Sequence, residues 1–123
     1  MSRVRQTHTG PEIRVRKAAH ALGYRFRLHR RELPGTPDLV FPRSKRVIFV
    51  HGCFWHRHPG CSRTTIPKTR TDYWQNKFQE NVARDTARIK ELRSLGWETL
   101  VIWECETFDF AALSQRLASF LVS

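Results

Sequence analysis

Apolar positions along this 123-residue chain switch between a helical and a strand period, and the switches mark its elements. Residues 9–23 read as a helix. Thr9-x-x-Glu12 forms a capping box, Pro11 sits near the first helical position, and Gly23 follows Leu22 as a stop. Val15, Ala18, Ala19 and Leu22 supply its apolar face, with Arg14, Arg16 and Lys17 off that face. Tyr24 to His29 alternates with period two, which predicts a strand with one wet face. Pro34-Gly35-Thr36-Pro37 is a turn that delivers Asp38 into a short strand ending at Phe41 before Pro42. A tight connection over residues 43–45 leads into Arg46 to His51, a buried strand with a polar end.

Residues 52–70 have no period and are dense in Cys, His, Arg, Pro and Gly; a loop this long in a compact domain is usually functional. With Thr71 or Asp72 as cap, residues 73–95 read as a long helix. Trp74, Phe78, Val82, Ile89 and Leu92 are its apolar stripe and Gly96 its stop. Leu100 to Trp103 is another buried strand, and Phe110, Leu113, Leu117, Phe120 and Leu121 mark a final amphipathic helix. The order α-β-β-β-loop-α-β-α predicts an α/β fold, a small mixed sheet flanked by helices. No linker, repeat or low-complexity tract divides residues 1–123, so a single domain is expected.

Composition adds a partner class. The formal charge is +11, and residues 1–50 hold 12 Lys/Arg against three acids. Such a field draws in polyanions, and four Trp and eight Phe offer surfaces on which bases can stack. No apolar run reaches the roughly 18 residues of a membrane span, and arginines interrupt any signal-like N-terminal stretch. The expectation is a cytoplasmic, nucleoid-associated protein with no membrane partner.

Two clusters carry candidate chemistry. Cys53, His58 and Cys61 follow the spacing C-x4-H-x2-C, and Cys105 lies just past the last strand. If the strands ending at His51 and Trp103 are parallel neighbours, Cys105 reaches Cys53 and the four side chains make a structural Zn²⁺ site. His56 is an alternative ligand to His58, and three reduced thiols packed as small hydrophobes are the simpler alternative. The second cluster is Asp38 at a strand start, His51 at a strand end, His56 and Glu12. A carboxylate there suits Mg²⁺, and histidines beside it suit proton transfer. Read singly, Glu12 is also a capping residue, and His29 and His51 are also ordinary strand-end polar groups.

Several blocks occur in order: Pro34-Gly-Thr-Pro-Asp38, Val47-Ile-Phe-Val-His-Gly-Cys-Phe-Trp-His56, Thr71-Asp-Tyr-Trp74, Asn81-Val-Ala-Arg-Asp85, Gly96-Trp97 and Val101-Ile-Trp-Glu-Cys105. Over about residues 3 to 106 the chain resembles the very-short-patch-repair (Vsr) family of DNA mismatch endonucleases. The resemblance implies a fold like that of type II restriction endonucleases, with a zinc-stapled loop. It implies a Mg²⁺-dependent nick in one strand of duplex DNA, beside the thymine of a T·G mispair left by deamination of 5-methylcytosine.

By that resemblance, Asp38 binds Mg²⁺ together with the backbone carbonyl of Val50, where some members carry Thr. His51 stands where related nucleases have a lysine, His56 assists proton transfer, and Glu12 supports the site through water or His56. Cys53, His58, Cys61 and Cys105 correspond to the zinc ligands, with Pro59-Gly60 altering a spacing that varies among relatives. Phe54, Trp55 and Trp74 match aromatics that wedge into the duplex, and Lys77 and Asn81 would reach the mismatched bases. Arg63, Lys68 and Arg70 are expected on phosphates, and Met1 to Val4 are the sole candidates for a minor-groove arm. A monomer suffices for a single-strand cut, and repair-pathway proteins are possible further partners. The rival readings are a restriction-type or general endonuclease with another DNA target, and a non-catalytic zinc-containing DNA-binding module.

Overall fold

Three helices cover the two faces of a four-stranded mixed sheet in a computed structural model that describes residues 10–122. Along the chain run α1 (Gly10–Ala21), β1 (Arg27–Leu28), β2 (Leu39–Phe41), β3 (Arg46–His51), α2 (Thr71–Ser94), β4 (Glu98–Trp103), a single 3-10 turn (Glu104–Thr107) and α3 (Phe110–Leu121). The strands lie in the order β1-β2-β3-β4; the first two pairings are antiparallel and β3–β4 is parallel. The mixed α/β sheet expected from the sequence is therefore the observed architecture.

The alternation of side chains sorts the core into two layers. On one face Leu39, Phe41, Ile48 and Ile102 pack against Val15, Ala18 and Ala19 of α1 and Leu113, Leu117 and Leu121 of α3. On the other face Val40, Val47 and Phe49 pack against Leu92 of α2, with Ile89, Trp97 and Val101 alongside. Because the register pairs His51 with Trp103, both side chains emerge on the α2 face at the C-terminal ends of two parallel strands. Ligand sites in open α/β sheets collect at such ends.

Some predicted elements differ in extent. The stretch Tyr24 to His29 keeps its alternation, with Tyr24 and Phe26 edge-on to Phe41. Only Arg27 and Leu28 pair with β2, because His29 turns into the left-handed region at φ 47° and ends the edge strand. Leu22, expected on the apolar face of α1, lies beyond the helix end and is exposed. Phe110 likewise sits exposed at the start of α3. Thr9 and the proposed arm Met1 to Val4 fall outside the described residues. The cap of α2 is Arg70 in left-handed geometry with no side-chain bond, rather than Thr71 or Asp72.

The inward stripe of α2 also differs from the prediction. Val82 is 41% exposed, and the stripe runs Trp74, Phe78, Asn81, Asp85, Ile89, Leu92. Two polar residues thus occupy core-facing positions at helical spacing, and both open onto a cleft.

Gly35 presses the turn before Asp38 against the rest of the fold. Its φ is +74°, and a Cβ there would meet the Arg88 Cβ at 3.0 Å and the Phe49 ring at 3.2 Å. Only glycine combines that backbone with that approach. Among the described residues no helix is long and apolar enough to cross a membrane.

Candidate active site

Asp38 enters the site at the end of the Pro34–Pro37 turn, directly before β2. Its Oδ2 accepts the backbone N–H of Val50 at 2.7 Å, which ties the carboxylate to the C-terminal end of β3. The Val50 side chain packs into the α1/α3 core, so the backbone is what this residue offers Asp38. Burial pushes the Asp38 carboxyl up to about 6; the Val50 hydrogen bond opposes this, and the negative charge of Glu12 adds to it. A carboxylate raised by desolvation and a neighbouring acid is a place where a cation is electrostatically favoured.

Glu12 comes from the first turn of α1 and is 2% exposed. It forms an ion pair with Arg16 and lies 2.9 Å from Nε2 of His29, which in turn stands 3.8 Å from Oδ1 of Asp38. Glu12, His29 and Asp38 bring ligand atoms within 4.8 Å of one another. The side chain that approaches both Glu12 and Asp38 is His29.

His51 and His56 form the other half of the site. Their rings stack at 3.9 Å with 7° between planes. His51 is 6% exposed, and its Nδ1 has no hydrogen-bond partner among the described residues. Burial, reinforced by the nearby His56, lowers its pKa to about 4, with Asp85 opposing; the ring is a neutral base at physiological pH. His56 Nδ1 lies 2.6 Å from Oδ2 of Asp85. An ionised carboxylate only accepts, so Nδ1 of His56 is the donor and Nε2 is the nitrogen left for other work.

Asp85 was given no role at the level of sequence. Its signal was a carboxylate on the inward stripe of α2, four residues before Ile89. Both clusters line one open cleft of about 1140 Å³, together with Phe54, Trp55, Asn81, Arg31, Arg84 and Arg88. Four carboxylates, three imidazoles (two of them stacked) and three guanidiniums around one cleft suit acid–base work on a bound anion.

A third cluster lies behind the first two. Cys53, His58, Cys61 and Cys105 hold their ligand atoms within 4.8 Å of one another. His58 Nδ1 is 3.7 Å from Cys53 Sγ and 3.4 Å from Cys105 Sγ. A tetrahedral ion at ordinary Zn–S and Zn–N lengths would set that edge at about 3.6 Å, so the set fits. His56, the alternative ligand, is occupied by Asp85 instead. Burial raises the Cys53 thiol, and the Cys105 and Cys61 sulfurs raise it further; a cation would offset that crowding.

The loop between the clusters carries the aromatics. Phe54 packs edge-on to Phe78 and to Trp55, and Trp55, 39% exposed, faces Trp74 at 6.2 Å. Arg57, not singled out by sequence, ties the loop together through the carbonyls of Phe54, Thr64 and Thr65 and lies over the Phe78 ring. Asn81 reaches the Trp55 carbonyl and accepts from Arg84. Lys77 is exposed and does not line the cleft. Lys68 is exposed, Arg70 lies over Tyr73, and Arg63 lies over Phe108 near Glu104.

The comparisons with known proteins agree with one another. The family model described as DNA mismatch endonuclease Vsr matches residues 1–63. The type II nicking enzyme V.XorIIP of Xanthomonas oryzae pv. oryzae is 51% identical over 121 residues, covering 98% of this chain and 88% of the relative. The type II nicking enzyme V.NmeAIP of Neisseria meningitidis is 38% identical, over 95% of this chain and 83% of the relative. The DNA mismatch endonuclease Vsr of Escherichia coli K12 is 40% identical, over 92% of this chain and 75% of the relative. Matched across half its length by the family model and across nearly all of it by these relatives, the chain belongs to the Vsr family of DNA mismatch endonucleases.

Proposed function

We propose that this protein is a Mg²⁺-dependent DNA mismatch endonuclease that nicks one strand beside the thymine of a T·G mispair. The observation that carries the reading is the cleft itself. Asp38 fixed by the Val50 N–H, and the stacked His51–His56 pair braced by Asp85, share it with the half-exposed Trp55. The names of the relatives, nicking enzymes and a mismatch endonuclease, point the same way.

Asp38 and the Val50 carbonyl would hold the magnesium ion, with Glu12 supporting from behind. When bound, it supplies charge neutralisation at the phosphate and a lowered pKa for water. His51 is kept neutral by burial and accepts a proton from the attacking water. His56, held at Nδ1 by Asp85, delivers a proton from Nε2 to the leaving O3′ oxygen. One proton is taken up and one is given, as hydrolysis of a phosphodiester requires. Zinc held by Cys53, His58, Cys61 and Cys105 would brace the loop bearing Phe54 and Trp55.

Trp55, with Trp74 beside it, would stack on bases opened at a weak pair. Unstacking costs a few kcal/mol per step and least at a mismatch, so the wedge itself discriminates. Asn81, tied to the Trp55 carbonyl, accompanies the wedge; Lys77 would act from the outer surface of α2. Arg31, Arg84 and Arg88 are suited to the phosphates that flank the cut. One site cutting one strand needs no two-fold partner, so the active form is a monomer.

The test is nicking of T·G heteroduplexes with varied neighbours against matched duplexes of the same sequence, with and without Mg²⁺. Mismatch-selective, Mg²⁺-dependent nicks support the reading. Equal cleavage of matched DNA favours a general endonuclease, and DNA binding without incision favours a non-catalytic module.

A further inference from the structure

His51 is buried, yet its Nδ1 makes no hydrogen bond among the described residues. Packing therefore sets its ring orientation. Three rings surround it: Phe49 at 5.7 Å, the stacked His56 at 3.9 Å, and Trp103, whose indole meets it edge-on at 5.3 Å and 74°. Trp103 also contacts His58, whose ring stacks on the indole at 4.3 Å and 11°. His58 belongs to the cysteine–histidine cluster that could hold a metal ion. The indole thus touches both His51 and a residue of that cluster.

The backbone repeats this arrangement. His51 and Trp103 are register partners at the ends of β3 and β4, and two residues beyond each lie Cys53 and Cys105. The Cys105 N–H donates to Cys53 Sγ at 3.4 Å, and the Trp103 N–H donates to Glu106 at 2.8 Å. An ion binding all four ligands would clamp both strand ends and fix the His58 ring against the indole. Outer contacts that orient a working imidazole commonly carry 10- to 100-fold effects, and small misplacements of reacting groups cost as much.

We propose that Trp103 is a positioning residue that transmits the state of the Cys53–His58–Cys61–Cys105 metal site to His51, so that nicking depends on the filled site through the indole. The proposal rests on the function inferred above. The test uses the full chain loaded with zinc, in three variants: Trp103→Leu, Trp103→Phe and His58→Cys. The last keeps four metal ligands but removes the ring that stacks on Trp103. Zinc content, kcat and KM on T·G duplex, and the ring carbon–proton resonance of His51 in NMR are measured.

Trp103→Leu and His58→Cys are expected to bind one zinc yet lose about 10-fold or more in kcat, with KM within about twofold of wild type. Trp103→Phe is expected to recover most of the loss. The His51 resonance is expected to move in His58→Cys even though Trp103 is still present. A zinc-loaded His58→Cys or Trp103→Leu protein with wild-type kcat and an unmoved His51 resonance overturns the proposal. If the wild type nicks no mismatched duplex, the proposed function fails, and the His51 resonance alone decides whether the coupling exists.

Discussion

The carboxylate of Asp85, on the inward stripe of α2, holds Nδ1 of His56 at 2.6 Å across 29 residues of sequence. This fixes which nitrogen of His56 faces the cleft. Asp85→Asn keeps the size of the side chain but can leave the imidazole in the wrong tautomer. A kcat loss of roughly 100-fold or more is expected, with duplex affinity and fold unchanged, as for other carboxylates that orient a working histidine. Unchanged kcat would remove Asp85 from the machinery.

Opposed titrations make the fold's acid response unusual. Asp38 has its carboxyl raised to about 6, so the folded state binds its proton more tightly than the unfolded chain. That contribution is present at low pH and is lost as pH rises through about 6. His51 has its pKa lowered to about 4, so its contribution is present above the unfolded value and is lost as pH falls through about 4. Both windows span pH 4 to 6 with opposite slopes and nearly cancel.

Asp38→Asn removes one arm of that balance. Without Mg²⁺ at pH 7, denaturant unfolding should show the variant more stable than wild type by on the order of 2 kcal/mol, and newly steep between pH 4 and 6. His51→Gln should leave the opposite slope. Mg²⁺ should stabilise the wild type and not Asp38→Asn. A variant that tracks wild type at every pH would mean that Asp38 is not desolvated as described.

Metal removal tests the third cluster. The purified protein is expected to carry one zinc by elemental analysis, and chelation is expected to lower Tm by about 10 °C or more, because structural zinc contributes directly to folding. Cys61→Ser should show part of that loss. A metal-free protein with the same Tm would leave the thiols as ordinary buried groups.

Trp55 separates recognition from folding. Its ring is largely outside the core, so Trp55→Ala should change stability little. Losing one base-stacking ring should weaken binding to T·G duplex about 10-fold or more, and matched duplex less. An equal loss on both would make Trp55 a general DNA contact and not a mismatch wedge.

Where patterns were local, the sequence was readable. The strand Arg46–His51 has the bounds its apolar run implies, because the four apolar residues between its polar ends pack into the core layers on both faces of the sheet. The parallel pairing that joins Cys105 to Cys53 followed from the intervening helix. Contacts that depend on how elements pack were not readable. Val82 looked like part of the α2 stripe because it is apolar, yet the stripe carries Asn81 and Asp85, which face a cleft and not a core. His29 read as a strand-end polar group, and only the approach of α1 brings Glu12 to it. The Trp103–His58 stack joins the last strand to a loop without period, and spacing does not encode that contact.

The most direct test of a single hydrolytic site built on Asp38, His51 and His56 is product mapping on a T·G duplex labelled on each strand in turn. Wild type with Mg²⁺ should give one nick, beside the thymine and in its strand only, and Asp38→Ala should give none while still binding the duplex. Cuts in both strands, or undiminished cutting by Asp38→Ala, would contradict the assignment.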